Sequence, residues 1–569
     1  MEKYCFTGWD AICVEINNKL RKLPKKKIVI VVETYQGVYH NEIRNALSKG
    51  LTLNHIFLSE EAMLSEDEIR NITYPDVTDH RIFGFMTRLN MIDFMNINKI
   101  NHIKDEMNKI ENGNILIFGY GASLICKDAD ILIYADMARW EIQLRMRQNK
   151  VNNLGIINKD DSFETKYKTG FFVDWRVCDR LKKKLMNKWD YVLDTNIKNQ
   201  PKMATAYAIR EGMEQAVSQP FSVVPFFDPG IWGGQWMREV CDLPKEPDNY
   251  AWCINCIPEE NSIYLGFGDI NFEIPSINVV FAKPVKLLGD PVHARFGDEF
   301  PIRFDFLDTM DGGNLSLQVH PLTEYIQENF GIHYTQDESY YILDAKEDAS
   351  VYLGLKEGVD NDKMISELEN AERNGICFEA ENHVNKWPAK KHDHFLIPGG
   401  TVHCSGKNSM VLEISATPYI FTFKLWDWGR INSDGKPRPI NIKHGKNVIQ
   451  WNRTTNWVKE QLINRVVKIG EGDGWIEEKT GLHEREFIET RRHWFTKTVL
   501  HKTNGSVNVL VLIEGREAIV ESPSNKFEPF VVHYAETFIV PDNVKEYTIR
   551  PYGESQGKKI ATIKAYIRF

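Results

Sequence analysis

The sequence predicts a multi-domain chain: an α/β domain over residues 1–218, a β-barrel over 219–440, and a connecting helix leading into a second β-barrel over 441–569. Three observations carry this. At 569 residues the chain is too long for one hydrophobic core. Strands alternate with helices in the first third, whereas short β-rich runs between Gly, Pro and Asp turns fill the rest. A short internal echo in the C-terminal part points to two related barrels.

In the first domain, Ile28 to Val32 is a β-branched run behind Lys25-Lys26-Lys27, followed by a turn with Gly37 and a helical pattern through Ile43 and Leu47. Asn114 to Phe118 is a second strand, ending in Gly119-Tyr120-Gly121. Ile131 to Tyr134 is a third, running through Asp136 into a helical stretch, Met137 to Arg147. Such alternation predicts a mostly parallel sheet covered on both faces.

The pattern changes near Gln219-Pro220. Ser276 to Phe281, Ile302 to Leu307, Leu315 to Val319, Tyr340 to Leu343 and Val411 to Ile414 read as strands of a sandwich or barrel. Asp362 to Arg373 reads as a small helical insertion and Trp457 to Val467 as the connecting helix. Val507 to Ile513, Ala518 to Glu521, Phe538 to Val540 and Ile560 to Ile567 then build the second barrel. Within these parts, Phe395-Leu396-Ile397-Pro398 leading to His403 echoes Phe538-Ile539-Val540-Pro541 leading to Glu546. With His in one copy and Glu in the other, the first barrel is expected to hold a metal and the second to be metal-free.

Hydrophobic residues make up 42% and charged residues 26%, ordinary values for a globular protein. A net charge of -9 argues against a nucleic-acid or anionic-membrane partner, and no apolar run is long enough to span a bilayer. Met1-Glu2-Lys3-Tyr4-Cys5 has no apolar segment behind it that would read as a signal peptide. Nine cysteines without a repeating framework fit reduced thiols in a cytoplasm, and Cys253 and Cys256 read as buried thiols rather than ligands.

Gln318-Val319-His320 places two metal-ligand types on one face of a strand, because side chains alternate with period two. Pro321 ends that strand. Glu338 precedes a second strand, and His403 follows Pro398-x-Gly400-x-x. Two imidazoles, a carboxylate and an amide oxygen suit one Zn²⁺, with Mn²⁺ or Fe²⁺ as alternatives, and the absence of a thiolate fits a catalytic rather than a structural site. Taken singly, each residue is more often an ordinary core or surface group. His392 and His394 flank Asp393 in an evident turn and read as solvent-exposed.

Several segments in order give the C-terminal part a resemblance to class I mannose-6-phosphate isomerases, enzymes built on cupin (jelly-roll) barrels. They are Ile231-Trp232-Gly233-Gly234, Phe300-Pro301-Ile302-Arg303, Leu315 to Pro321, Glu338 to Ala345, Ile397 to His403, and Val411-Leu412-Glu413-Ile414 running on to Trp426-Asp427-Trp428-Gly429-Arg430. The resemblance covers roughly 220–569. It implies zinc at Gln318, His320, Glu338 and His403, a catalytic Arg430, and a phosphorylated hexose as substrate. One departure stands out: the family's Lys two residues before the metal-binding Glu is here Gln336. The resemblance also implies interconversion of mannose 6-phosphate and fructose 6-phosphate through an enediolate. A sugar-phosphate sensor without turnover, and another cupin isomerase or epimerase, are its rivals. Neither the general base nor the oligomeric state is legible.

Residues 1–218 resemble a P-loop domain of the phosphoribulokinase/uridine-kinase type. The equivalent turn, Glu33-Thr34-Tyr35-Gln36-Gly37-Val38-Tyr39-His40, lacks the Lys-Ser/Thr pair that serves phosphate and Mg²⁺. The expectation is a structural domain without nucleotide binding.

Overall fold

The computed structural model describes residues 4–418, 420–431, 438–481 and 483–569; Met1 to Lys3, part of the stretch read for a leader, lie outside them. The chain divides into two compact units, Met1–Gln215 with Pro258–Lys283, and Ala216–Ile257 with Pro284–Phe569. The division therefore departs from a single cut at 218/219. Twenty-odd residues that the sequence reading gave to the first barrel belong to the α/β unit.

The first unit is built on a 7-stranded sheet of β1 (Cys5–Thr7), β2 (Lys27–Thr34), β3 (His55–Leu58), β4 (Gly113–Gly119), β5 (Ile131–Asp136), β6 (Tyr191–Asp194) and β7 (Lys202–Thr205), in the order β1-β7-β6-β5-β2-β4-β3. Strands β2 to β6 run parallel. Their side chains are buried almost without alternation from Ile28 to Tyr35, as a sheet covered on both faces requires. The segment Pro258–Lys283 adds a hairpin, β10 (Ser262–Phe267) and β11 (Ile270–Pro275). After it, Ile277–Ala282 is a helix, not the strand expected from its β-branched residues. Burial of Ile277, Val279 and Val280 overrides their weak strand preference.

In the second unit the β-rich expectation is met by two pairs of sheets. The first pair has a 6-stranded sheet, β17-β14-β19-β12-β9-β8, and a 5-stranded sheet, β16-β15-β18-β13-β20. Its strands are β8 (Phe226–Asp228), β9 (Trp252–Cys256), β12 (Ile302–Asp308), β13 (Leu317–Val319), β14 (Glu338–Ala345), β15 (Ser350–Leu355), β16 (Val384–Pro388), β17 (His394–Ile397), β18 (His403–Ser405), β19 (Ser409–Ala416) and β20 (Phe423–Trp426). The helical insertion spans Asn361–Asn374, capped by the Asp360 side chain on the Lys363 amide and closed by Gly375 at φ 65°.

The second pair has a 6-stranded sheet, β21-β22-β23-β30-β25-β28, and a 4-stranded sheet, β24-β29-β26-β27. They comprise β21 (Val467–Gly472), β22 (Trp475–Gly481), β23 (Ile488–Phe495), β24 (Val499–Lys502), β25 (Asn508–Glu514), β26 (Glu517–Glu521), β27 (Phe530–His533), β28 (Thr537–Val540), β29 (Glu546–Pro551) and β30 (Ile560–Ile567). The connecting helix is shorter than the periodicity predicts, Thr455–Gln461, and Val467 already opens a strand. No helix among the described residues is long and apolar enough to cross a membrane.

Candidate metal centre

Four side chains from three strands and a strand end meet in the first barrel. Gln318 lies in β13, His320 one residue beyond its end, Glu338 at the start of β14 and His403 at the start of β18. The register is explicit: Gln318 pairs with His403 across β13 and β18. Opposed residues of antiparallel strands project to one face, and Gln318 and His320, two apart, share that face. Pro321 then stops the ladder.

The turn that delivers His403 explains its glycines. A Cβ on Gly399 would sit 2.7 Å from the Pro321 carbonyl oxygen. On Gly400, at φ 89°, it would lie 2.9 Å from that of Val448. The Gly400 amide donates to the His320 carbonyl at 2.9 Å. Buried Arg453 donates to the carbonyls of Pro398 and Gly399 at 2.8 and 2.7 Å, stapling the turn. Burial lowers its guanidinium to about 10.

His320, Glu338 and His403 are all buried, and one ligand atom from each lies within 4.8 Å of the others. His403 Nδ1 donates to the Thr401 carbonyl at 2.8 Å, and His320 Nδ1 faces the Phe421 carbonyl at 3.3 Å. A carbonyl only accepts, so each Nδ1 carries the proton and each Nε2 offers a lone pair inward. These Nε2 atoms lie 2.8 Å (His403) and 3.0 Å (His320) from the Glu338 carboxylate. Neither contact is aligned as a hydrogen bond: among the described residues, His320 Nε2 and Glu338 Oε1 have no hydrogen-bond partner.

Converging lone pairs at such distances, buried and without aligned protons, fit a cation between them. Gln318 borders the cluster, its amide nitrogen 3.3 Å from His403 Nε2 and its oxygen accepting from Ser316 at 3.1 Å. A half-turn of the amide would exchange the two, putting a ligand oxygen toward the imidazole.

Gln336, in the position where a Lys was anticipated, donates to Glu338 at 2.9 Å and to Glu413 at 3.3 Å. Behind it lies a charged network the sequence reading missed. Arg303 contacts Asp305 at 3.0 Å and Glu413 at 3.4 Å. Burial raises Asp305 to about 6, and burial with two carboxylates nearby, Asp305 and Glu338, raises Glu413 further. Period-two spacing of Arg303 and Asp305 in an apolar strand was the available signal.

Arg430 pairs with Asp427 at 3.0 Å and donates to the Asn314 carbonyl; Arg438 takes the other Asp427 oxygen at 2.8 Å. Trp426, before them in β20, is buried. His392 and His394 depart from the expectation of exposure. His392 bonds the Tyr341 hydroxyl at 3.0 Å and Glu514 at 3.2 Å, and His394 is fully buried within β17. The short apolar strand Phe395 to Ile397 begins one residue earlier than the turn residues suggest.

Comparison with known proteins adds an independent line. Mannose-6-phosphate isomerase ManA of Bacillus subtilis is 27% identical over 241 residues, 41% of this chain and 69% of that protein. The mannose-6-phosphate isomerase of Streptococcus mutans is 27% identical over 250 residues, 42% of this chain and 72% of the enzyme. This chain is a homologue of isomerases. The crystal structure of the Bacillus subtilis mannose 6-phosphate isomerase matches 62% of this chain and all of its own, with 18% identity and a TM-score of 0.50, which extends the homology to a shared fold. Residues 8–218 match a separate family, a domain of unknown function (DUF8485).

Proposed function

We propose that the chain is an aldose–ketose isomerase that interconverts mannose 6-phosphate and fructose 6-phosphate, with one divalent cation held by Gln318, His320, Glu338 and His403. The observation that carries this reading is the buried convergence of two inward-facing imidazole nitrogens on Glu338, without aligned protons, in a chain homologous to isomerases. The donor set, nitrogen and oxygen without sulfur, favours Zn²⁺ and tolerates Mn²⁺ or Fe²⁺. Such an ion supplies Lewis-acid polarisation of the sugar oxygens.

The reaction needs no co-reactant. A proton leaves C2 and one arrives at C1, while the O2 hydroxyl proton leaves and O1 gains one. The residues around the cluster hold its geometry: Thr401 and Phe421 carbonyls orient the imidazoles, and Gln336 fixes the Glu338 carboxylate. Arg430, tied to Asp427, is the arginine the resemblance assigns to catalysis. The reading is tested with the full chain: metal content by mass spectrometry and turnover of mannose 6-phosphate in a coupled assay. One equivalent of metal and metal-dependent turnover are expected. Metal without turnover of any aldose 6-phosphate would replace the enzyme by a sensor.

For the first unit we propose a P-loop-like domain without nucleotide binding. Its parallel strands have the order β3-β4-β2-β5-β6, and the crevice at their carboxyl ends is filled by its own side chains. Tyr35, Trp175 and Lys182 are buried there. Tyr35 donates to Asp179 at 2.9 Å, Trp175 to Gln36 at 3.0 Å, and Lys182 pairs with Asp136 at 2.8 Å. Asn278, from the inserted segment, also donates to Asp136 at 2.7 Å. Glu33 itself accepts the amides of Gly121 and Ser123, and burial lifts its carboxyl to about 7. A fragment ending at 218 lacks Asn278, so calorimetry with ATP·Mg²⁺ belongs on the full chain. No binding is expected; micromolar affinity, about -8 kcal/mol, would overturn the proposal.

A further inference from the structure

Beside Arg430, the cation expected to work on the sugar, the strand register brings a second one to the cluster. Lys424 in β20 pairs with Gln318 in β13, and Gln318 pairs with His403 in β18. His403, Gln318 and Lys424 thus form one row across three adjacent strands. Side chains of directly opposed residues share a face, with Cβ atoms about 5 Å apart. His403 and Gln318 face the cluster, so Lys424 does as well. A bulge between Leu317 and Gln318 interrupts the β13–β20 ladder at this point, a device that re-aims a side chain.

The charges around Lys424 are already committed to one another. Asp427 lies in ion-pair range of both Arg430, at 3.0 Å, and Arg438, at 2.8 Å. Arg430 also donates to the Asn314 carbonyl. Lys424 is partly buried and, among the described residues, its ammonium makes no direct hydrogen bond or ion pair; the charges that act on it from a distance are Asp427, Arg430 and Arg438. A half-buried ammonium is retained at a cost in desolvation unless an anion meets it. The row itself supplies none: Gln318 is neutral and His403 is an imidazole, while the Glu338 carboxylate, from another strand, accepts from Gln336 and faces the two imidazole nitrogens that it shares the proposed cation with.

We propose that Lys424 is a catalytic residue of this site, donating its ammonium hydrogens to the oxygen anion that develops at C1–C2 of the sugar. The proposal rests on the isomerase reading for the identity of the sugar. Lys424 starts one strand spacing from Gln318, on the face that the cluster occupies. Stabilisation of a developing oxyanion by a fixed donor is worth about 10²–10³ in rate.

Two inhibitors that share the 6-phosphate separate the possibilities without turnover. Mannonate 6-phosphate carries a planar carboxylate at C1, and mannitol 6-phosphate carries a neutral hydroxyl there. Zinc-loaded full-length wild type is expected to bind the aldonate at least about tenfold more tightly by calorimetry, the range of a charge-assisted hydrogen bond. K424M is expected to lose that preference while keeping its affinity for the alditol and one zinc per chain. K424R is expected to retain part of it, and K424Q with a thermal midpoint serves if the Met variant does not fold. In parallel, kcat of K424M should fall about 10²-fold or more with KM little changed.

Equal loss for both inhibitors would make Lys424 a phosphate contact, and an unchanged preference, or none in wild type, would leave it without a role; each overturns the proposal. A wild type that shows the Lys424-dependent preference but no isomerisation would instead sink the isomerase reading and leave the anion contact standing.

Discussion

The two barrels of the second unit repeat one strand plan and differ in what fills it. In the first, β12 to β19 form the orders β17-β14-β19-β12 and β16-β15-β18-β13. In the second, β23 to β30 form β28-β25-β30-β23 and β27-β26-β29-β24. Each strand of one has its counterpart eleven places on. Register then locates the metal-ligand positions in the second copy. Glu338 pairs with Ile397, the residue before Pro398; Asn508 pairs with Val540, the residue before Pro541. Gln318 opposes His403; His501 opposes Tyr547.

Where the first barrel gathers lone pairs, the counterpart positions of the second are joined by a hydrogen bond and a ring stack. The Tyr547 hydroxyl donates to Asn508 at 2.8 Å, and the Tyr547 and His501 rings stack at 5.1 Å. Around them lies an apolar core including Val499, Leu510, Leu512, Phe538 and Ile549. One scaffold thus supports a charged, cation-ready interior or a filled one, depending on a few inward positions.

The largest contrast should come from matched truncations of the two rows. H403A removes an imidazole that has no substitute and should lower metal affinity by more than about 100-fold, with loss of turnover; H501A should leave metal content and turnover intact. Metal content measured on both purified variants decides. Equal metal content in the two would break the distinction between the barrels.

An intermediate effect is expected from His394, whose counterpart in β28 is Thr537, each lying three residues before the last residue of its strand. Burial, with Arg492 nearby, pulls the His394 imidazole down to about 3. An unfolded chain would bind its proton near 6.5. Between those values the unfolded state holds a proton that the native state refuses, so stability is lost as pH falls below about 6.5. At pH 5 the deficit is about 2 kcal/mol. H394T, which places the second barrel's residue in the first, should flatten that acid loss. Thermal midpoints of metal-free protein at pH 7 and pH 5 give the measurement; an unchanged pH slope in H394T would show that other groups set it.

How much of this was legible in the sequence depends on the kind of signal. Gln318 and His320 were readable because period-two alternation in a strand ended by Pro321 fixes their shared face whatever the tertiary context. The helical insertion was readable as Asp362 to Arg373, and the structure extends it to Asn361–Asn374 between the Asp360 cap and Gly375. Ile277–Ala282 was not, because β-branched residues give a strand signal that burial in the α/β unit overrides. Neither was Lys424, since its significance lies in the pairing with Gln318, more than a hundred residues away. His394 was misread because flanking turn residues outweighed the strand that it opens.

The smallest effect tests the sequence echo itself. Counting from the proline, His403 and Glu546 occupy the same place, five residues on. In space they do not. After Pro541 the chain makes a helical turn over Asp542–Val544 and then Lys545 at φ 65°, and the residue that enters the barrel is Tyr547, fully buried. A slip of one residue in a strand sends every side chain to the opposite face. Glu546 accordingly lies outside, exposed and paired with Lys502 at 2.8 Å. E546H should therefore leave the metal stoichiometry at one per chain and change stability by no more than about 0.5 kcal/mol, the range of an exposed substitution. A second equivalent of tightly held metal in E546H, by mass spectrometry, would mean that position 546 reaches the barrel interior and that the alignment by spacing, not the alignment by register, describes the repeat.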